Sequence, residues 1–126
     1  MPTRAHPTDG GLDLYSPVRV VVRANDWESI DTGVHVEIPE GYVGLITSKS
    51  GLMAKEGITS RGTIDCGYTG SIRAVLFDHR KKDYIVEKGQ KITQLVLVPI
   101  ITPVLEVVDS LDDTERGDGG FGSSGK

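Results

Sequence analysis

The segment from Arg116 to Gly125 reads Arg-Gly-Asp-Gly-Gly-Phe-Gly-Ser-Ser-Gly, placing a cation, an aromatic ring and two hydroxyls among glycines. Glycine lets backbone N–H groups approach an anion closely, and consecutive N–H groups can form an anion-binding concavity. The bland reading of such a stretch is a disordered end. Against it stand Arg116 and Phe121, a charge and an apolar ring in a segment otherwise stripped of large side chains. Gly120-x-x-x-x-Gly125-Lys126 also matches most of a P-loop. That loop needs a strand before it, a helix after it and a Ser or Thr following the lysine. No such residue follows Lys126, so the P-loop reading is rejected and a glycine-rich anion-binding arm is kept.

Four further clusters carry polar chemistry. Asp13 lies in Asp9-Gly10-Gly11-Leu12-Asp13-Leu14-Tyr15-Ser16, and Ser48-Lys49-Ser50-Gly51-Leu52 leads into a short helical pattern. Gly62-Thr63-Ile64-Asp65-Cys66-Gly67-Tyr68-Thr69-Gly70 precedes one strand pattern, and Gly89-Gln90-Lys91-Ile92-Thr93-Gln94-Leu95 opens another. Taken singly each has a structural explanation: Asp13 caps a turn, Ser50 caps a helix, and Asp65 is a solvated loop carboxylate.

The elements that must position these clusters show period two. Val34, Val36 and Ile38 alternate with His35 and Glu37, the pattern of a half-buried strand. Val18 to Val22, Tyr42 to Thr47, Ser71 to Phe77, Tyr84 to Val86 and Ile92 to Ile100 are likewise β-branched or alternating. Turn signals at Pro39-Glu40-Gly41, Asp78 to Asp83 and Lys88-Gly89-Gln90 separate them, and the turn between Gly57 and Gly62 is short. Many short strands predict an all-β sandwich or barrel. The only helix predicted is Gly51 to Glu56, with Ser50 as N-cap and Gly57 ending it. Residues 1–109 form the predicted barrel domain. Residues 110–126 form an acidic hinge, rich in Asp and Glu from Asp109 to Glu115, and a mobile arm with too little apolar surface to join a core.

With 126 residues, the chain makes one domain. A net charge of −4 argues against a nucleic-acid surface, so a polyphosphate would have to be met by placed donors and a divalent cation. No run is long and apolar enough for a membrane span, and the N-terminus lacks a signal-peptide apolar region. The single cysteine, Cys66, cannot form an internal disulfide and fits a reducing compartment.

Together and in this order, the four clusters and the arm closely resemble the trimeric dUTPase family, from about Pro2 to Gly125. The resemblance implies a β-barrel or jelly-roll subunit with a mobile C-terminal arm. It also implies a homotrimer whose sites draw on all three subunits, Mg²⁺-dependent hydrolysis of dUTP to dUMP and pyrophosphate, and a cytoplasmic location, or host cytoplasm for a phage protein. Asp65 would activate the water that attacks the α-phosphorus, a role a carboxylate can fill as general base. Tyr68 would lie under the deoxyribose and exclude a ribose hydroxyl. Backbone from Thr59 to Ile64, including Gly62 and Ile64, would read the uracil edge. Asp13 would help hold Mg²⁺ through water, since that ion keeps several waters. Lys49, Ser50 and Gly51 would meet phosphate with help from the helix N-terminus, and Gln94 would bond near the α-phosphate. In the arm, Phe121 would stack over uracil while Arg116, Gly122, Ser123 and Ser124 enclose the β- and γ-phosphates. The family usually has Pro-Arg-Ser-Gly where this chain has Ser48-Lys49-Ser50-Gly51. Lysine keeps the charge but lacks the planar fork, so an active enzyme with a differently held triphosphate is expected.

Other residues are discounted. His6, His35 and His79 lack metal-ligand spacing, and His35 is expected on the surface. Cys66 is expected to pack in its turn, Trp27 to sit in a loop, and Arg80-Lys81-Lys82 to form a solvated turn. The enzyme rival is a dCTP deaminase, which the Asp65-x-x-Tyr68 pattern and the Phe121 arm disfavour. A rival of another class is a regulatory binding protein on the same fold, disfavoured by the absence of an inserted segment.

Overall fold

The computed structural model describes residues 1–125, and it is a β-protein with one short helix. The strands are β1 (Gly11–Tyr15), β2 (Val20–Val22), β3 (Trp27–Asp31), β4 (Tyr42–Thr47), β5 (Ile58–Ile64), β6 (Arg73–Asp78), β7 (Tyr84–Val86) and β8 (Lys91–Pro99). Six of them form a curled antiparallel sheet in the order β1-β8-β4-β5-β6-β3, and β2 pairs with β7 separately. The architecture is jelly-roll-like: the period-two pattern predicts an all-β sandwich or barrel, and the family resemblance implies the jelly roll. Helix α1 (Ser50–Glu56) bridges β4 and β5.

Two apolar clusters fill the interior. The first joins Val22, Ile30, Ile58, Ala74, Leu76, Val86 and Ile92, so the β2–β7 pair closes over the β3–β6 end of the sheet. The second joins Leu14, Ile38, Ile46, Ile64, Ile72 and Leu95 beneath β1, β8, β4 and β5. A register shift in the β1–β8 pairing near Leu14 and Tyr15 lets both Ile92 and Thr93 point inward, breaking the alternation of β8.

Several local expectations change. Val34, His35, Val36, Glu37 and Ile38 do alternate in burial, yet the stretch is extended chain outside any strand. Its hold on the body includes Ile72 N–H donating to Val34 O at 2.8 Å. Ser50 is the first helical residue, and Lys49 stands at the N-cap with no side-chain bond to cap the helix. Gly57 does end α1, with φ of 63°, a left-handed turn that only glycine adopts without strain. The short turn expected between Gly57 and Gly62 is mostly strand β5, and Trp27 begins β3, exposed on its outer face. Arg80 is no solvated turn residue: it bonds Glu56 at 3.0 Å and Asp78 at 3.4 Å and lies over the Tyr84 ring. His35 is on the surface as expected, its Nδ1 2.8 Å from Thr69 O.

Candidate active site

Several polar residues of the candidate site neighbour an apolar residue of the second cluster. Asp13 precedes Leu14, Asp65 follows Ile64, Ser71 and Arg73 flank Ile72, and Gln94 precedes Leu95. Successive side chains in extended backbone face opposite ways, so burying the apolar member turns its neighbour outward.

Register then gathers them. Asp13 lies opposite Gln94, Gln94 opposite Thr47, and Thr47 opposite Arg61, making one cross-strand row over β1, β8, β4 and β5. Asp13 is 4% exposed. Its Oδ1 takes the Lys49 ammonium and its Oδ2 lies 3.4 Å from Lys91 Nζ. A carboxylate this deeply buried requires such pairing. Two ammonium groups on one carboxylate leave a local positive charge in an otherwise acidic chain, which suits an incoming anion. Ser50 and Gly51 open α1 beside Lys49 and are exposed. The first bond from the helix runs from Met53 N–H to Lys49 O at 2.9 Å, leaving the earlier N–H groups of the helix without intrahelical partners. Gln94 Nε2 donates to Ser48 O at 3.1 Å.

The second group surrounds a cavity of about 290 Å³ lined by Ile46, Gly62, Ile64, Asp65, Tyr68 and Ser71, among others. Asp65-Cys66-Gly67-Tyr68 forms a tight turn closed by Tyr68 N–H donating to Asp65 O at 3.1 Å. Gly67 has φ of 92°, the value a type II turn requires at that position. Tyr68 Oη donates to Ser71 O at 2.8 Å, and a side chain at Gly70 would overlap the tyrosine ring. Asp65 is exposed at the cavity edge. Cys66 is exposed too, so it does not pack in the turn as expected. Behind the cavity wall, Asp31 is braced by the Ser71 hydroxyl, by Gly33 N–H at 2.9 Å and by Arg73 Nη1 at 3.5 Å. These bonds, the Ser71 hydroxyl foremost, hold the Asp31 carboxyl below its ordinary range.

The arm stays apart within one chain. Arg116, Phe121, Gly122, Ser123 and Ser124 are all exposed, and Arg116 Nε donates within the arm to Gly119 O at 2.8 Å. Phe121 holds φ of 54°, a left-handed backbone rare for a bulky residue. Lys126 lies outside the described residues. The sequence reading missed Lys91 on Asp13 and missed Arg61, which lines both this cavity and a groove of about 730 Å³ beside it. Lys91 could have been noticed as the one cation of its cluster; nothing in the sequence marks Arg61.

Among the described residues, no three His, Cys, Asp or Glu side chains are grouped to hold a metal ion. Asp13 has both oxygens engaged by lysines. This donor set does not fit an ion caged by protein. It fits Mg²⁺ carried by a polyphosphate and touched through water.

The curled antiparallel fold carries both the Asp65–Tyr68 turn and the doubly paired Asp13, and comparison with known proteins places it in a class of nucleotide hydrolases. The chain belongs to the dUTPase family, whose sequence model matches residues 1–125. It is 42% identical to the deoxyuridine 5'-triphosphate nucleotidohydrolase of Clostridium tetani, covering 100% of this chain and 89% of that protein. It is also 42% identical to the protein so named from Paramecium bursaria Chlorella virus 1, covering 98% and 89% respectively. The dUTPase of Staphylococcus bacteriophage 80alpha, solved with dUpNHpp, superposes with a TM-score of 0.92 at 39% identity, over 100% of this chain and 92% of that one. A phage phi11 dUTPase mutant, solved to show coordination of a structural Mg(II) ion, matches with a TM-score of 0.82 at 34% identity, over 90% and 92%.

Proposed function

We propose that the chain hydrolyses dUTP to dUMP and pyrophosphate, as a homotrimer using Mg²⁺. The observation that carries the reading is the exposed Asp65 carboxylate, set by a tight turn at the edge of a cavity of about 290 Å³. Asp65 accepts a proton from water as the water oxygen bonds to the α-phosphorus; the bond from that phosphorus to the bridging oxygen breaks and pyrophosphate leaves. Tyr68 lies beneath the deoxyribose, and backbone around Gly62 and Ile64 reads the uracil edge. Lys49, Ser50, Gly51 and Gln94 receive the phosphates, a task of positioning and electrostatics. Asp13 would help hold Mg²⁺ through water, and the bound ion would offset charge on the triphosphate.

The arm of residues 110–126 closes over a neighbouring subunit's site, with Phe121 on the base and Arg116, Gly122, Ser123 and Ser124 around the terminal phosphates. The exposure of Arg116, Phe121, Ser123 and Ser124 in a single chain supports this reading, as does the apolar strip at Ile101, Val104, Leu105, Val107 and Leu111, each exposed by more than 80%. The proposal places the chain in the cytoplasm, acting on free nucleotide; among the described residues no helix is long and apolar enough to cross a membrane. Pyrophosphate release assayed across dUTP, dTTP, dCTP and UTP, with ammonia release from dCTP alongside, tests the proposal. Turnover confined to dUTP is expected. Equal turnover of UTP or dTTP, or deamination of dCTP, would overturn it.

A further inference from the structure

We infer that three buried or half-buried hydroxyls, Ser48, Ser60 and Thr93, are positioning residues that set the Lys49-Ser50-Gly51 segment for phosphate. The inference rests on the phosphate role proposed for that segment. Ser48 Oγ donates to Ser60 O at 3.0 Å and accepts from Ser60 N–H at 2.9 Å, clamping the residue before Lys49 to strand β5. Thr93 Oγ1 donates to Thr47 O at 3.0 Å, one residue further back. Ser60 Oγ and Thr93 Oγ1 lie 2.6 Å apart. The Thr93 proton is already committed to Thr47, so the Ser60 hydroxyl must be the donor of that contact. A hydroxyl has only one proton to give. The result is a directional chain, from Ser60 to Thr93 to the Thr47 carbonyl, with Ser48 joining it through the Ser60 backbone. Gln94 Nε2 adds a further bond to Ser48 O.

Ser60 is 3% exposed and Thr93 is fully buried, so water cannot replace these bonds. Thr93 faces inward in step with Leu95, opposite the buried Leu14, so its hydroxyl lies on the core side of β8. Helix α1 has no side-chain cap of its own, so the backbone at Thr47 and Ser48 is where its entry is fixed. The role inferred for the three hydroxyls is to act through Lys49, Ser50 and Gly51.

The test compares Ser60→Ala, Thr93→Val, their double variant and Thr93→Ser in the full chain, with Ser48→Ala as a milder change should Thr93→Val fail to fold. Affinities for dUpNHpp and for dUMP are measured, together with hydrogen exchange of the peptide spanning Lys49 to Glu56. Losing the relay should weaken dUpNHpp by about tenfold, the worth of roughly one hydrogen bond. Binding of dUMP, whose base and sugar lie elsewhere, should hold within about twofold on the same scale. The double variant should be no worse than either single one, Thr93→Ser should restore binding, and exchange in the Lys49 peptide should rise while that of β6 does not. Equal weakening of both nucleotides, additive losses or unchanged exchange would overturn the inference. A wild-type chain that binds neither nucleotide would instead refute the proposed function, leaving the exchange result to decide the positioning role.

Discussion

Asp13 and Lys49, 36 residues apart in sequence, form an ion pair with the carboxylate almost wholly buried and the ammonium about a quarter exposed. Lys91 sits on the second carboxylate oxygen. Replacing Asp13 with Asn leaves two ammonium groups facing each other without a counter-charge. Because both lysines reach water, the expected loss is at the low end for a broken buried pair, about 1–3 kcal/mol by urea unfolding. Lys49→Arg should keep the pair and Lys49→Met should not. A Met variant as stable as the wild type, with the same KM for dUTP, would show that the pair serves neither stability nor binding.

Asp65→Asn keeps the size and turn of the residue but cannot accept a proton. Turnover should fall by about 10²–10⁴-fold, the usual worth of a general base, while dUpNHpp affinity stays near that of the wild type. Pyrophosphate release and calorimetric titration check the two halves separately. Substantial residual turnover would remove Asp65 from its role.

Deleting residues 116–126 should abolish turnover and leave thermal stability unchanged, because the described part of that segment bonds only within itself and to Thr114 just before it. Full activity in the truncated protein would reduce the arm to a disordered end.

Ile58 and Ile64 sit in different apolar clusters on the same strand. Truncating either to Ala should cost about 2–5 kcal/mol. Only Ile64→Ala, next to Asp65 and lining the cavity, should also raise KM for dUTP. An equal rise in KM from Ile58→Ala would mean that the two clusters are not functionally separate.

The Asp31 carboxyl is held below its ordinary value near 3.8 by Ser71, Gly33 and Arg73. A carboxylate depressed on folding stabilises the native state above its unfolded value, and that contribution disappears as pH falls through the folded one. Melting temperature should therefore drop less steeply with acid in Asp31→Asn than in the wild type, with the difference confined to the range below the ordinary carboxylate value. Parallel curves down to strongly acid pH would count against the brace.

Where apolar alternation drives a strand, the sequence was enough: Tyr42–Thr47 and Tyr84–Val86 fall where the pattern puts them, and Lys91–Pro99 is shifted by one residue. Strand β3 escaped notice because Ile30 is its only buried apolar residue. Strand β5 escaped because one of its inward positions is Ser60, satisfied by a hydroxyl partner rather than by apolar packing. Val34 to Ile38 shows the reverse, a strand pattern without a ladder. The candidate site was readable as five clusters in order, through family resemblance. The double pairing of Asp13 was not, since it depends on the β1–β8 register, and no residue near Asp13 in sequence announces Lys91.

The apolar strip between Ile101 and Leu111 hangs free of its own subunit. In the proposed trimer, a site exists only once three chains have met and exchanged these segments. Assembled sites then rise more steeply than in proportion to the number of chains wherever assembly is incomplete. Dilution alone would act as an off-switch needing no inhibitor, and catalysis would be sensitive to gene dosage.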